Sequence, residues 1–208
     1  MKLRSSPFSP FGRKVVMVAH ILGLFDRLGI ATADPSDPND PLRVDNPLGK
    51  LPVLVLDDGS SLYDSRVIVD YLDHLAGEEG LIPQGDAKFP VLRMQALADG
   101  ILDASILQVY ENRFRAEDRR EAGWISYQAE KVKRALTFLE NSQLPAISTR
   151  PDVGAIALAC ALGYQDLRFQ GLWRKENPKL VAWLNDFAAS VPAFALTAPP
   201  AAGLVHPR

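Results

Sequence analysis

Hydrophobic positions change their spacing partway along the chain. Up to about Lys88, short β-prone runs alternate with helical patterns; beyond it the spacing is helical throughout. Lys2 to Ser5 reads as a short strand. Ser9-Pro10 then reads as an N-cap followed by proline at the first helical position. Val15, Val18, Ala19 and Leu22 recur at helical spacing, and Gly23 supplies a stop. Leu28 to Ala33 is a weak strand. Pro35, Pro38, Pro41 and Pro47 keep any helix in the next stretch short and irregular. Pro52 to Leu56 and Ser61 to Tyr63 form the arms of a hairpin about the Asp57-Asp58-Gly59 turn. Ser65 opens a helix whose inner face is Ile68, Tyr71, Leu72 and Leu75.

Gly77 to Gly85 is rich in glycine and charge and separates the two regimes. Leu92 to about Phe114 reads as one helix. Arg119 to Glu140 reads as another, with Ile125, Val132, Leu136 and Leu139 inward. Val153, Ile156, Ala157, Cys160, Ala161 and Tyr164 make a small-residue stripe suited to a tightly packed central helix. Leu180, Trp183, Leu184 and Phe187 mark a last amphipathic helix. Pro192 and Pro199-Pro200 are expected to end regular structure and leave an extended tail. No internal repeat or low-complexity tract appears. The order of elements predicts an α/β domain over residues 1–80, a linker over 81–87 and an all-α helical bundle over 88–208.

Composition narrows the class. The chain has 208 residues, 47% hydrophobic and 23% charged, which excludes a mainly disordered state. One cysteine, Cys160, excludes a disulfide scaffold and fits a reducing compartment. A formal net charge of -2 argues against a binder of nucleic-acid phosphates. No apolar run is long enough to span a membrane. The run from Val15 to Phe25 follows Arg13 and Lys14 as a signal peptide would. Its helical periodicity and the lack of a cleavage signal make it a core helix instead. A cytoplasmic enzyme or binding protein is the expectation.

The usual catalytic residues give little. His20, His74 and His206 are far apart and form no ligand-spaced pair, so no metal site is expected. There is no phosphate loop, dinucleotide glycine fingerprint or nucleophile elbow. Cys160, among Leu158, Ala159, Ala161 and Leu162, reads as an unreactive core thiol.

Two helix starts and one loop are more informative. The Ser9 hydroxyl sits among unpaired N–H groups at the positive end of a helix, where it either caps or holds an anion such as a thiolate. At Asp64-Ser65, the serine can bind a carboxylate and the aspartate an amine, which together suit an α-amino acid group. In Asn46-Pro47-Leu48-Gly49-Lys50-Leu51-Pro52-Val53, a proline opening a strand is expected to hold a cis bond. That would turn the Leu51 N–H and C=O outward as a free sheet edge for an extended peptide. A thiol, a peptide and an amino-acid head group occur in that order in glutathione.

The chain resembles the cytosolic glutathione S-transferases of the small bacterial kind. The likeness rests on Ser6-Pro7-Phe8-Ser9-Pro10-Phe11-Gly12-Arg13-Lys14-Val15, the Asn46 to Leu54 stretch, Tyr63-Asp64-Ser65-Arg66-Val67-Ile68, Leu81-Ile82-Pro83, Ala98 to Asp103 and Ile156 to Tyr164, and it runs to about Ala189. The resemblance implies a thioredoxin-like N-terminal domain, an all-α C-terminal domain and a homodimer. It makes glutathione the co-substrate and a small electrophile its partner. Ser9 takes the place that contacts the glutathione sulfur. Leu51 matches the residue pairing with the cysteinyl part, Pro52 the cis-proline, Lys50 a frequent polar contact, and Asp64 and Ser65 the γ-glutamyl contacts. Asp99 and Asp103 lie near where relatives meet.

Ser9-Pro10-Phe11-Gly12 stands where redox relatives carry Cys-Pro-x-Cys. Without a thiol no mixed disulfide can form there, which leaves thiolate stabilisation. The resemblance also places an electrophile pocket between the domains, with Phe8, Phe11, Ile106, Tyr110 and Trp173 as its candidate walls. One departure concerns the sixth helix, where Asp152 can cap but Ala155 cannot complete the family's reciprocal box. Conjugation of glutathione to an electrophile is thus the expected activity. A maleylacetoacetate-type isomerase is the alternative, although its Ser-Ser-Cys signature is missing. A non-catalytic partner-binding relative is the other, but it would not need Ser9, Pro52, Asp64 and Ser65 together.

Overall fold

The computed structural model describes residues 1–77 and 80–200. His206 and the expected extended tail beyond Pro200 lie outside the described residues, as do Glu78 and Glu79 of the glycine-rich connection. The chain divides into two compact units. Met1–Lys88 forms one together with residues 192–200, and Phe89–Val191 forms the other.

The first unit is built on a four-stranded mixed sheet. Its strands are β1 (Lys2–Ser5), β2 (Gly29–Thr32), β3 (Val53–Val55) and β4 (Ser61–Leu62), in the order β2-β1-β3-β4. β1 runs parallel to β2, with Leu3 opposite Ile30, and antiparallel to β3, with Leu3 opposite Leu54. The parallel pair needs a crossover, and α1 (Pro10–Ile21) supplies it. β3 and β4 close as a hairpin, and Gly59 takes the positive φ of +86° that its turn requires. The irregular α2 (Leu42–Asp45) occupies the proline-punctuated stretch, and α3 (Ser65–Ala76) follows β4. This is the thioredoxin-like arrangement.

Apolar side chains hold these layers together. Leu3, Val53 and Leu54 from the sheet, Val15 and Val18 from α1, and Ile68, Val69 and Leu72 from α3 are all fully buried. Val69 was not on the predicted inner face; Tyr71 and Leu75, which were, are only half-buried. Helix α3 is therefore rotated slightly from the expected face, and it buries Asp73 as well. The Asp73 carboxylate accepts from the N–H groups of Leu81 and Ile82, which ties the connecting segment to α3.

The second unit contains α4 (Lys88–Phe114), α5 (Ala122–Glu140), α6 (Val153–Phe169) and α7 (Pro178–Ser190). Helix α6 is buried on nearly every side from Val153 to Leu162, and Cys160 is fully buried within it, as its small-residue stripe predicts. Several polar groups inside this unit are paired, although the Gln95 and Gln128 side-chain amide nitrogens are buried without a hydrogen-bond partner among the described residues. The Gln165 amide donates to the Ser105 hydroxyl at 2.5 Å. The N–H groups of Lys179 and Leu180, orphans at the start of α7, donate to Glu140 at 2.8 and 3.0 Å.

The end of the described chain departs from the expected pattern. Pro192 does not end regular structure but opens a short helix, α8 (Pro192–Leu196). Proline suits a first helical position because its missing N–H has no intrahelical partner to lose. Helix α8 packs on α1 of the first unit, whereas the expected domain over 88–208 groups it with the bundle. No helix among the described residues is long and apolar enough to cross a membrane.

Candidate functional site

Ser9 sits where the sequence pattern puts it, at the N-cap of α1, with extended φ and ψ of -81° and 116°. Its hydroxyl oxygen accepts from the Gly12 N–H at 3.1 Å. Its carbonyl accepts from the Arg13 N–H at 2.9 Å, and its own N–H donates to Ser6 at 2.9 Å. A hydroxyl that caps by accepting still carries a hydrogen to donate. That hydrogen has no acceptor among the described residues, so capping and anion binding are compatible roles for the one group. Gly12 allows a close approach: a Cβ there would fall 2.0 Å from the Ser5 hydroxyl oxygen. The second position of a Cys-Pro-x-Cys pair is thus closed to any side chain unless Ser5 moves.

The loop before β3 is organised by Asn46, which is buried. Its side chain accepts from the Leu48 N–H at 3.0 Å and donates to the Lys50 carbonyl at 2.9 Å. Gly49 then turns with φ of +60°. Asn46 was quoted only as part of a motif, and its role as the loop's clasp emerges from the structure. The signal for it was an Asn-Pro turn, in which asparagine bonds to nearby backbone. The Leu51–Pro52 bond is cis, as expected, and so is Tyr63–Asp64. The ladder between β1 and β3 stops at Arg4 opposite Val53. Leu51 lies just beyond it, and its N–H and C=O have no partner among the described residues. Its side chain meanwhile packs on Ala33, Leu42 and Val53. An anchored side chain beside an open backbone is what an incoming strand needs. The Lys50 side chain is exposed.

Asp64 caps α3. One carboxylate oxygen accepts from the Arg66 N–H at 2.9 Å, and the other pairs with the Arg66 guanidinium at 3.1 Å. Burial pushes this carboxyl up, but the Arg66 hydrogen bonds and charge, with help from Lys14, outweigh it and hold it below the usual carboxylate range. Ser65 follows at 2% exposure. Its hydroxyl and backbone N–H have no partner among the described residues, at the positive end of a twelve-residue helix. The expected amine contact at Asp64 therefore shares its carboxylate with Arg66, while the expected carboxylate contact at Ser65 is open. Helices α1 and α3 pack together, and the reach of the Lys14 charge to Asp64 brings the two helix starts into one electrostatic neighbourhood.

The remaining candidates divide between the two units. Phe8 and Phe11 are half-buried in the first unit. Ile106 is half-buried on α4, and Tyr110 is exposed there, stacked edge-on with Phe114 at 5.2 Å. Trp173 is only 7% exposed, and its indole N–H donates to Asp166 at 2.9 Å. That makes it an interior residue of the helical unit and a poor pocket wall. A cavity of about 700 Å³ opens at the end of α4, lined by Phe114, Arg115, Ala116, Asp118 and Arg119. It contains none of the candidate residues. Asp99, expected near where relatives meet, is 3% exposed, whereas Asp103 is exposed. His20 stacks on Phe25 at 3.9 Å, the packing role expected of it. No group of metal-ligating side chains occurs among the described residues.

Comparison with known proteins gives a consistent result. Residues 3–80 match the glutathione S-transferase N-terminal domain family, and residues 96–186 match the corresponding C-terminal domain family. An uncharacterised GST-like protein of Escherichia coli, YibF, is 32% identical over 97% of this chain and 100% of its own. A glutathione transferase family member from Pseudomonas fluorescens Pf-5, solved with bound glutathione, is 40% identical with a TM-score of 0.86. It covers 96% of this chain and 98% of its own. The same source gave a complex with S-(propanoic acid)-glutathione, 41% identical to this chain with a TM-score of 0.85, over 96% of this chain and 99% of its own.

Proposed function

The chain belongs to the glutathione S-transferase family, and from that premise we propose that it binds glutathione and transfers its thiolate to a small electrophile. One observation carries the proposal. Three groups of the first unit are without partners among the described residues: the Ser9 hydroxyl hydrogen, the Leu51 N–H and C=O, and the Ser65 N–H and hydroxyl. Each corresponds to one part of the tripeptide. Ser65 takes the γ-glutamyl carboxylate at the start of α3, where N–H groups and the helix dipole favour an anion. Leu51 pairs its backbone with the cysteinyl residue. Ser9 donates to the sulfur. Complexes of the Pseudomonas relative with glutathione and with an S-substituted glutathione support glutathione as the ligand.

The chemistry follows from acidity. A free thiol with a pKa of about 8.5 is only a few per cent ionised at neutral pH. A hydroxyl donor and the N-terminal end of α1 both favour the anion, so binding lowers the thiol pKa and releases its proton to solvent. The thiolate forms a carbon–sulfur bond while a leaving group departs with the electron pair. With an activated alkene, the resulting carbanion takes up a proton instead. Glutathione must be reduced for this to occur, which suits a reducing compartment such as the cytoplasm. A homodimer and an electrophile contact at Tyr110 and Ile106 belong to the same proposal.

Calorimetry with glutathione, together with thiolate absorbance of the bound ligand followed against pH, tests it. Wild type should bind and titrate below the free thiol. Ser9→Ala should move the titration to higher pH and slow conjugation while affinity changes little. No binding by wild type overturns the assignment. Coincident titrations for the two proteins would leave Ser9 as a cap alone.

A further inference from the structure

We infer that Arg13 and the C-terminal helix α8 act together as a positioning device for Ser9. The inference rests on the glutathione assignment above and extends it to side chains that touch no ligand. Arg13 is one helical turn beyond Ser9, and its N–H closes that first turn on the Ser9 carbonyl at 2.9 Å. Its side chain, only 9% exposed, leads away to α8. There Nη2 donates to the Phe194 carbonyl at 2.8 Å, Nε donates to the Thr197 hydroxyl at 3.4 Å, and the guanidinium lies 4.2 Å from the centre of the Phe194 ring. An alternative role for Arg13, activating the thiol directly, is hard to reconcile with these commitments.

The acceptors are themselves fixed. The Thr197 hydroxyl donates to the Ala193 carbonyl at 2.7 Å, which leaves its lone pairs to accept from Arg13. Ala193 of α8 is buried, and the helix packs on α1. The Phe194 carbonyl belongs to the last turn of a helix, where carbonyls lack intrahelical donors and a cation is favoured. Phe194 lies 181 residues from Arg13 in the chain, so the contact joins segments far apart in sequence. The planar fork engages two acceptors and a ring face, which a lysine ammonium cannot reproduce. Stabilising a thiolate demands a hydroxyl held to within a fraction of an ångström. The clamp fixes the backbone turn on which that hydroxyl rides.

The test uses full-length protein and three readouts: the thiolate titration of bound glutathione, glutathione affinity by calorimetry, and turnover with an activated aryl chloride. Arg13→Met should shift the titration to higher pH and lower kcat about tenfold, with affinity little changed because Leu51 and Ser65 are untouched. Arg13→Lys should fall between it and wild type, and Thr197→Val should shift the same way by less. In a Ser9→Ala background, Arg13→Met should add nothing to the titration shift. A folded Arg13→Met whose titration coincides with wild type overturns the inference, as does a shift that persists undiminished without the Ser9 hydroxyl. If Arg13→Met does not fold, Arg13→Lys and Thr197→Val decide, and wild-type titrations in both overturn it. Failure of wild type to bind glutathione is a separate outcome that removes the assignment and this inference with it.

Discussion

Two helices in this molecule begin at an aspartate, and their starts serve opposite ends. Helix α6 opens at Asp152, whose carboxylate accepts from the Ala155 N–H at 2.8 Å. Val153, Gly154 and Ala155 behind it are all buried, and the start is packed shut. Helix α3 opens at Asp64, whose carboxylate accepts from the Arg66 N–H at 2.9 Å. The next residue, Ser65, keeps its N–H and hydroxyl without partners among the described residues. The capping chemistry is the same. Ser65 is itself buried, but Arg66 and Val67 after it are exposed and its hydroxyl is left over, and those differences decide which start can receive a ligand. A cap motif alone therefore identifies a helix start and says nothing of binding.

The largest effect should come from opening the closed start. A Cβ on Gly154 would lie 2.8 Å from the Val91 carbonyl oxygen and 3.0 Å from the Met94 Cβ. Backbone cannot retreat as a side chain can, so Gly154→Val should cost about 3 kcal/mol in denaturant unfolding, at the upper end for overpacking. Glutathione affinity per folded molecule should be unchanged. Next is the open start. Ser65→Ala should weaken glutathione binding by about 1–3 kcal/mol, the loss of a hydrogen bond to a charged group, with stability nearly unaltered. Unchanged calorimetric affinity would erase the distinction between the two starts.

How far each start could be read in advance follows from what a sequence encodes locally. Ser9 and Asp64 were legible as caps because capping is set by residues within three positions. Leu51 was legible because proline at a strand's first position constrains its neighbour. Four features were not. The open state of the Ser65 hydroxyl depends on what does not reach it. The Arg13 clamp joins residues from opposite ends of the chain, and Pro192 reads equally as a breaker or as the first residue of a helix. The burial of Asp99 and Trp173 reflects packing among helices, which periodicity ranks poorly when a helix is covered on several sides. In the fold, the slight misorientation of α3's inner face has the same origin, since Asp73 is drawn inward by the Leu81 and Ile82 N–H groups.

Asp152→Ala sharpens the comparison at a smaller scale. It removes the one side-chain acceptor of α6's first turn, and Ala155 supplies no reciprocal group. Loss of an N-cap costs about 0.5–2 kcal/mol, so the unfolding midpoint should fall without a change in the cooperativity of the transition. Asp152→Asn should recover most of it, because asparagine caps nearly as well. Glutathione titration curves should overlay wild type for both variants, since this start holds no ligand.

The smallest effect concerns acid. The Asp64 carboxyl is raised by burial and lowered more strongly by Arg66 and Lys14, so its folded pKa lies below the unfolded value. A depressed carboxylate contributes stability that is fully present above the unfolded pKa and is lost as pH falls through the folded one. From neutral pH down to about 4 the contribution should be constant, and it should fade below that range. Asp64 and Arg66 are both largely exposed, so solvent screens the pair and the difference should stay under about 1 kcal/mol. Asp64→Asn keeps the cap and removes the charge. Plotted against pH, the stability gap between wild type and Asp64→Asn should be flat at neutral pH and close only under acid. Added salt should shrink it, which an effect of capping geometry would not do. A gap that widens on acidification would mean that the wild-type carboxyl is raised, with burial prevailing over Arg66 and Lys14 at this start.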